Sequence, residues 1–335
     1  RSSSSAASDV YKRQVLDDEI LITGTRIPTA IDDAITAISV ITADDIELGQ
    51  FRLLSDALKQ VPGVQITRSG SFGGVTTTSI RGLPSELTKV VIDGIDQNDP
   101  STFENTSNIA TVDTADIERI EILRGPQSTL YGSDAIGGVI NIVTRSATEG
   151  LEGRAFIEGG SFGSLRGSAT LGGGSSLLSG VTTISAGRTR GISSADKVNG
   201  NSEKDGSRDL TISSKIRFAP VDGVSLDGVL RYRDTRVEFD DFDFFLGPVD
   251  GDNISNSQEI FGATFLNIDS VNDRLKHRFS FTYALTERQD VATFAFDGEG
   301  ERLNYEYQAH FQPIEPLQVI AGAEREIDKS RVVLG

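Results

Sequence analysis

The chain has no cysteine, no methionine and no tryptophan. Without cysteine there is neither a disulfide framework nor a thiolate metal site. Histidine occurs only at positions 277 and 310. Positive charge is scarce as well: 32 Lys and Arg stand against 49 Asp and Glu, a formal charge of −17. A nucleic-acid partner is therefore excluded, because its phosphates would be repelled. No window approaches the ~18 consecutive apolar residues of a transmembrane helix. A membrane barrel stays open, since its alternating strands average out as mildly polar.

With no initiating methionine, the chain reads as a mature or truncated form. Residues 1–14, "RSSSSAASDVYKRQ", lack an apolar core segment and are not a signal peptide. They read as a non-native leader or linker.

What is present falls into two textures. Up to residue 148 short helices and strands mix. Ala37 to Ile41 reads as a strand, followed by a helical turn capped by Thr42. "LSDALKQVPGV" predicts a helix with Ser55 as N-cap, stopped at Pro62-Gly63. "KVVIDG" predicts a short strand ending in a turn at Asp93-Gly94, and "IERIEILRG" alternates through Ile117, Ile120 and Ile122.

From residue 149 period-two alternation dominates. In "VSLDGVLRYRD" Val224, Leu226, Leu230 and Tyr232 oppose Ser225, Asp227, Arg231 and Arg233. In "RFSFTYALT" Phe279, Phe281, Tyr283 and Leu285 share one face. Brief turns such as "PVDG" and "PIEP" alternate with long polar stretches, "GISSADKVNGNSEKDG" and "VEFDDFDFFLGPVDGDNISNS". This is the pattern of an outer-membrane barrel, of which about nine strands are present. A soluble sandwich, as in a carbohydrate-binding or adhesive β-protein with an α+β leader, is the alternative. Leu230 is expected to face outward and Arg231 inward, so Arg231→Leu should be far less harmful than Leu230→Arg.

The runs "SIRGLPSELTKVVIDGIDQNDP" and "IERIEILRGPQSTLYGSDAIGGVINIVTR" resemble the plug domain of TonB-dependent outer-membrane receptors. The order IRG, DG, IERIE, RGP, YG, then GG before an INI strand is shared. The wording "YGSDAIGGVINI" looks most like the vitamin B12 (cobalamin) receptor branch, and siderophore receptors share much of it. The resemblance implies an α+β plug domain, residues 27–148, followed by a transmembrane antiparallel β-barrel, residues 149–335, truncated from an expected number of about 22 strands. It implies a transporter of the bacterial outer membrane and not an enzyme, with cobalamin as the solute and a ferric siderophore as the alternative. Its partners would be outer-membrane lipid, TonB and the inner-membrane energising complex.

Within residues 15–26, Glu19, Ile20, Leu21, Ile22 and Thr23 resemble the TonB box, a β-prone run suited to adding a strand to a partner's sheet. Arg81, Arg124 and Arg145 can form forked hydrogen bonds with carboxylates of the barrel lumen, or can tie the plug's own loops. Asp240, Asp241, Asp243, Asp250 and Asp252 offer hard oxygen ligands for a structural calcium; a solvated acidic loop is the alternative. Phe239, Phe242, Phe244 and Phe245 in the same stretch could touch a large ligand or the lipopolysaccharide layer. His277 and His310 read as solvated lumen residues. "GPQSTLYGS" has neither the spacing nor the lysine of a phosphate-binding loop, and no catalytic constellation is legible.

Overall fold

The computed structural model describes residues 21–22, 29–30, 37–193, 195, 204–243, 247–271, 274–293, 295–314 and 317–335. Two short strands open it, β1 (Leu21–Ile22) and β2 (Thr29–Ala30), paired antiparallel. The plug follows as β3 (Ala37–Thr42), α1 (Ala43–Gly49), α2 (Leu54–Leu58), β4 (Val64–Arg68), β5 (Thr76–Ile80), β6 (Thr88–Ile92), β7 (Ile95–Asp96), β8 (Ile117–Arg124), α3 (Ser128–Tyr131) and β9 (Gly138–Thr144). Its main sheet has the order β3-β8-β9-β6-β7, with β6 and β9 parallel and the other neighbours antiparallel. One face packs Ile120, Ile122, Ile140 and Ile142 against Leu54, Leu58 and Ile80. The other packs Leu123 and Val139 against Tyr131 and Ala135.

Thr42 caps α1 as expected: its hydroxyl accepts from the Asp45 amide while the Asp45 carboxylate accepts from the Thr42 amide. Ser55 does not cap α2. The N-cap is Leu53, and the amide of Leu54 donates to the carbonyl of Val112 at 2.9 Å. Backbone from a distant segment thus meets the first amide of the helix, and Ser55 is buried inside the helix. The glycine pair before the INI strand has a steric reason. A Cβ on Gly138 would lie 2.3 Å from the Leu123 carbonyl oxygen, across the β8–β9 ladder.

The remaining described chain is one antiparallel sheet of nine strands in sequence order: β10 (Gly150–Gly159), β11 (Leu165–Gly174), β12 (Leu178–Thr189), β13 (Ser207–Val221), β14 (Val224–Asp243), β15 (Gly247–Ser270), β16 (Leu275–Val291), β17 (Phe296–Ile314) and β18 (Leu317–Leu334). Strands β13 to β18 run 15 to 24 residues, well beyond the five or six usual in a sandwich. The sheet wraps the plug with its polar face. Ser225, Arg231 and Arg233 of β14 are buried on the inner face, where Arg231 reaches Asp116 of the plug, while Leu226 and Leu230 point away and are exposed. A soluble sandwich would turn the apolar face inward, so the alternation has the sense of a membrane barrel.

The stretch read as a long acidic loop is instead a hairpin. Strand β14 continues to Asp243 and β15 begins at Gly247, with Phe239 opposite Asn253 and Asp243 opposite Gly247. His277 departs from its expected lumen position. It shares the outward register of Phe279 and Phe281, and its Nδ1 lies 2.9 Å from the Tyr307 hydroxyl.

Candidate functional site

The plug meets the sheet through an apolar contact at Ile95 and a set of ion pairs. Ile95, just past the Asp93-Gly94 turn, packs among Val229, Phe261, Ala263, Phe265 and Ala284. Gly94 has φ +84°, and a Cβ there would lie 3.1 Å from the Phe265 ring, so the turn needs glycine for conformation and for space.

Around this contact, cations of the sheet reach carboxylates of the plug. Arg166 on β11 pairs with Asp113 at 2.5 Å, Lys215 on β13 with Asp93 at 2.9 Å, and Arg231 on β14 with Asp116 at 2.6 Å. Arg302 on β17 binds Asp96, the Asn98 carbonyl at 3.2 Å and Asp328 at 2.8 Å. The plug carboxylates sit where loops leave strands, and the Asp113 carboxylate also accepts from the Ala115 amide at 2.7 Å. Burial pushes the Asp113 carboxyl up, against the opposing pull of Arg166. Burial draws Lys89 down, but the Asp96 carboxylate 3.0 Å away outweighs it and the ammonium ends up raised. Two pairs lie nearer the rim: Arg52 of the plug with Glu158, and Arg154 of the sheet with Glu47.

Of the arginines for which sequence left lumen bridges and ties within the plug both open, two make contacts within the plug. Arg124 donates to Ser39 and Arg145 to Glu47, both within the plug, and Arg81 is exposed with φ +56°. Sequence reasoning missed Arg166, Lys215 and Arg302 as latch residues. Their signal was a cation at an inward strand position; their partners, 122 residues away for Lys215 and 206 for Arg302, left none.

On the side of the contact toward the long connections lies a cleft of about 400 Å³. Plug loops around 69–75 and 97–111 form its floor, and β14, β15 and β16 form its wall. Arg233 is 4% exposed and gives one nitrogen to Glu259, leaving Nε and Nη1 without partners. Arg288 pairs with Asp290 at 3.2 Å over the Phe296 ring, and its Nε is also unpartnered. Asp99 is raised by burial, against two hydrogen bonds from Ser101 at 2.7 and 2.8 Å. A second chamber of about 430 Å³ opens toward the short turns and is lined by Lys89, Arg278, Arg302, Glu306 and Glu324.

Phe239 lines the first cleft; Phe244 and Phe245, and the side chain of Phe242, lie outside the described residues. Asp240 accepts from the Ala195 amide at 2.7 Å and the Ser193 hydroxyl at 3.0 Å, and Asp241 accepts from Thr293 at 2.7 Å. Asp252 is exposed, and the side chains of Asp243 and Asp250 are outside the described set. Among the described residues no three acidic or imidazole groups converge on a metal site. Of the segment expected to engage a partner, Leu21 and Ile22 form β1, and Glu19, Ile20 and Thr23 are not described.

Residues 30–139 match the family described as TonB-dependent Receptor Plug Domain. The chain is 42% identical over 149 residues to the iron-regulated outer membrane virulence protein of Vibrio cholerae, which covers 43% of this chain and 22% of that protein. It therefore spans about a fifth of that curated relative in the matched part. In shape it resembles the alcaligin outer-membrane receptor FauA of Bordetella pertussis, with TM-score 0.75, 16% identity, 95% of this chain and 51% of that one. The ferripyoverdine receptor of Pseudomonas aeruginosa gives TM-score 0.72 and 16% identity over 93% of this chain and 45% of that one. These likenesses fix the architecture, a plug domain followed by part of a receptor-type barrel.

Proposed function

We propose, from a plug of the TonB-dependent receptor type seated against a partial outer-membrane barrel, that this chain belongs to a transporter taking a ferric siderophore across the bacterial outer membrane. Short turns face the periplasm in such barrels and long connections face outside, which puts the Arg233 cleft on the extracellular side. The observation that carries the reading is Arg233 itself. A buried guanidinium with two unpartnered nitrogens is a site for anionic oxygen, as an anionic ferric chelate presents.

The corrinoid suggested by the plug wording is the weaker reading. The relatives named above are described by iron regulation, alcaligin and ferripyoverdine, none by a corrinoid. Energy would enter through β1, whose two residues offer backbone for strand addition by TonB. The protein moves its solute and performs no reaction on it.

The test is titration of the full-length receptor with a panel of ferric siderophores and with cyanocobalamin. A ferric siderophore should bind, and Arg233→Gln should weaken it about 10- to 100-fold, the effect of losing one charged hydrogen-bond donor. Tight cyanocobalamin binding with no siderophore bound would overturn the assignment.

A further inference from the structure

Strands β12, β13 and β14 place three arginines in one row. Arg188 is the register partner of Arg208, and Arg208 is the register partner of Arg236. All three carry the outward parity of Ile184, Leu210 and Leu230, while Gly187, Asp209 and Thr235 turn to the plug side, where Asp209 pairs with Arg166. Neighbouring strands lie ~4.8 Å apart, and like charges directly opposed across a ladder are destabilising. Compensation within the protein is slight. Arg236 has Glu238 at 3.8 Å, and among the described residues Arg188 and Arg208 have no ion pair. Such a row is unexpected in a chain whose net charge is −17.

Its height on the sheet identifies the partner. Counting outward positions on β12 from the short turn gives Leu178, Gly180, Thr182, Ile184, Ala186 and then Arg188. Strand β13 gives Phe218, Ile216, Ser214, Ile212, Leu210 and then Arg208. Strand β14 gives Leu226, Gly228, Leu230, Tyr232, Asp234 and then Arg236. The apolar band ends at Ala186 on β12 and Leu210 on β13, whereas on β14 it ends at Tyr232 and Asp234 stands level with Leu210; the three arginines form the next level toward the long-connection end. The row does not continue around the sheet, because the next register partners are Asn256, Gln289 and Asp297.

We propose that Arg188, Arg208 and Arg236 form a binding site for the phosphate groups of lipopolysaccharide in the outer leaflet. An arginine fork matches phosphate oxygens in pairs, and three forks at the edge of the hydrocarbon layer meet a lipid that carries its phosphates at that depth. The acyl chains then lie along Leu210, Ile212 and Leu230 below. The site rests on the outer-membrane reading above but not on the identity of the solute.

The test uses the full-length receptor, delipidated in detergent. The probes are lipid A with both phosphates, lipid A with its phosphates removed, and inorganic phosphate. Each cation near an anionic surface is worth about fivefold, so Arg188→Gln, Arg208→Gln and Arg236→Gln together should weaken binding of the phosphorylated lipid about a hundredfold. Removing the phosphates should do the same to the wild type, and replacing all three arginines by lysine, which keeps the charge and loses the fork, should give an affinity between those of the wild type and the glutamine variant. Equal binding of the two lipids, or wild-type binding by the glutamine variant, would overturn the site. Displacement of lipid A by an equal concentration of inorganic phosphate would assign the row to free phosphate and overturn the lipid. A heat-shifted gel band verifies folding of each variant. If the triple glutamine variant lacks it, the three single variants carry the test, and unchanged affinity in all three overturns it. Siderophore binding is scored separately, so its failure with the lipid result intact would count against the solute alone.

Discussion

Replacing Arg231 by leucine separates the structure from an expectation based on strand parity. An inward lumen position suggests mild consequences, but Arg231 is 3% exposed and bound to Asp116, itself 5% exposed. Removing one partner of a buried pair leaves the other charge uncompensated, at about 3–5 kcal/mol. The structure predicts an asymmetry within that range. Arg231 already has Nε and Nη2 unpartnered, so Arg231→Leu also removes a poorly satisfied group and should fall near ~3 kcal/mol. Asp116→Asn keeps that guanidinium and takes away the carboxylate it is bound to, which points to ~5 kcal/mol. The double variant should lie within about 1–2 kcal/mol of wild type, because a buried pair replaced as a unit is often close to neutral. Denaturant unfolding of the four full-length proteins in lipid vesicles measures the cycle. Additive losses, or a loss below ~1 kcal/mol for Arg231→Leu alone, would mean that Asp116 is hydrated and the latch is not a buried interaction.

On the opposite face, Leu230→Arg should destabilise by about 2–4 kcal/mol near mid-membrane, and the same vesicle assay reads it; no effect would displace the register. Leu21→Pro removes a ladder donor from β1 and should abolish energised uptake while leaving surface binding intact, as labelled-ligand uptake by whole cells would show. Asp99 gives a pH dependence. Its folded carboxyl is raised above the unfolded value by burial, so its stabilising contribution is present at low pH and is lost as pH rises through the folded value. Asp99→Asn should therefore be more stable than wild type at neutral pH, with the gap closing on acidification. A gap constant with pH would locate the effect elsewhere.

The architecture was legible because two local signals agree. Alternation in "VSLDGVLRYRD" reports which side chains meet a polar lumen, and the Asp-Gly and Gly-Gly turns report where the plug chain must bend. Legibility failed where both strand faces are solvated. From Glu238 to Asp243 charges fall on either side, so composition stops reporting the strand although the hairpin ladder persists. It failed again for the latch, since pairing between Arg302 and Asp96 follows from docking and not from spacing. His277 was misplaced for a simpler reason: a polar residue at the end of an outward aromatic register can stay outward when a tyrosine hydroxyl receives it.

The position of β3 has a mechanical consequence. It is an edge strand, held to the rest of the plug sheet by six residue pairs with β8, from Ala37 with Arg124 to Thr42 with Arg119. Tension entering from the side of β1 loads the Ala37 rung first and can peel the strand rung by rung, while β8, β9 and β6 stay joined. The last rung is Thr42, which is also the cap of α1. Peeling that reaches Thr42 uncaps the helix in the same motion, so edge strand and first helix should yield together, as a fuse between the pulled segment and the seated plug.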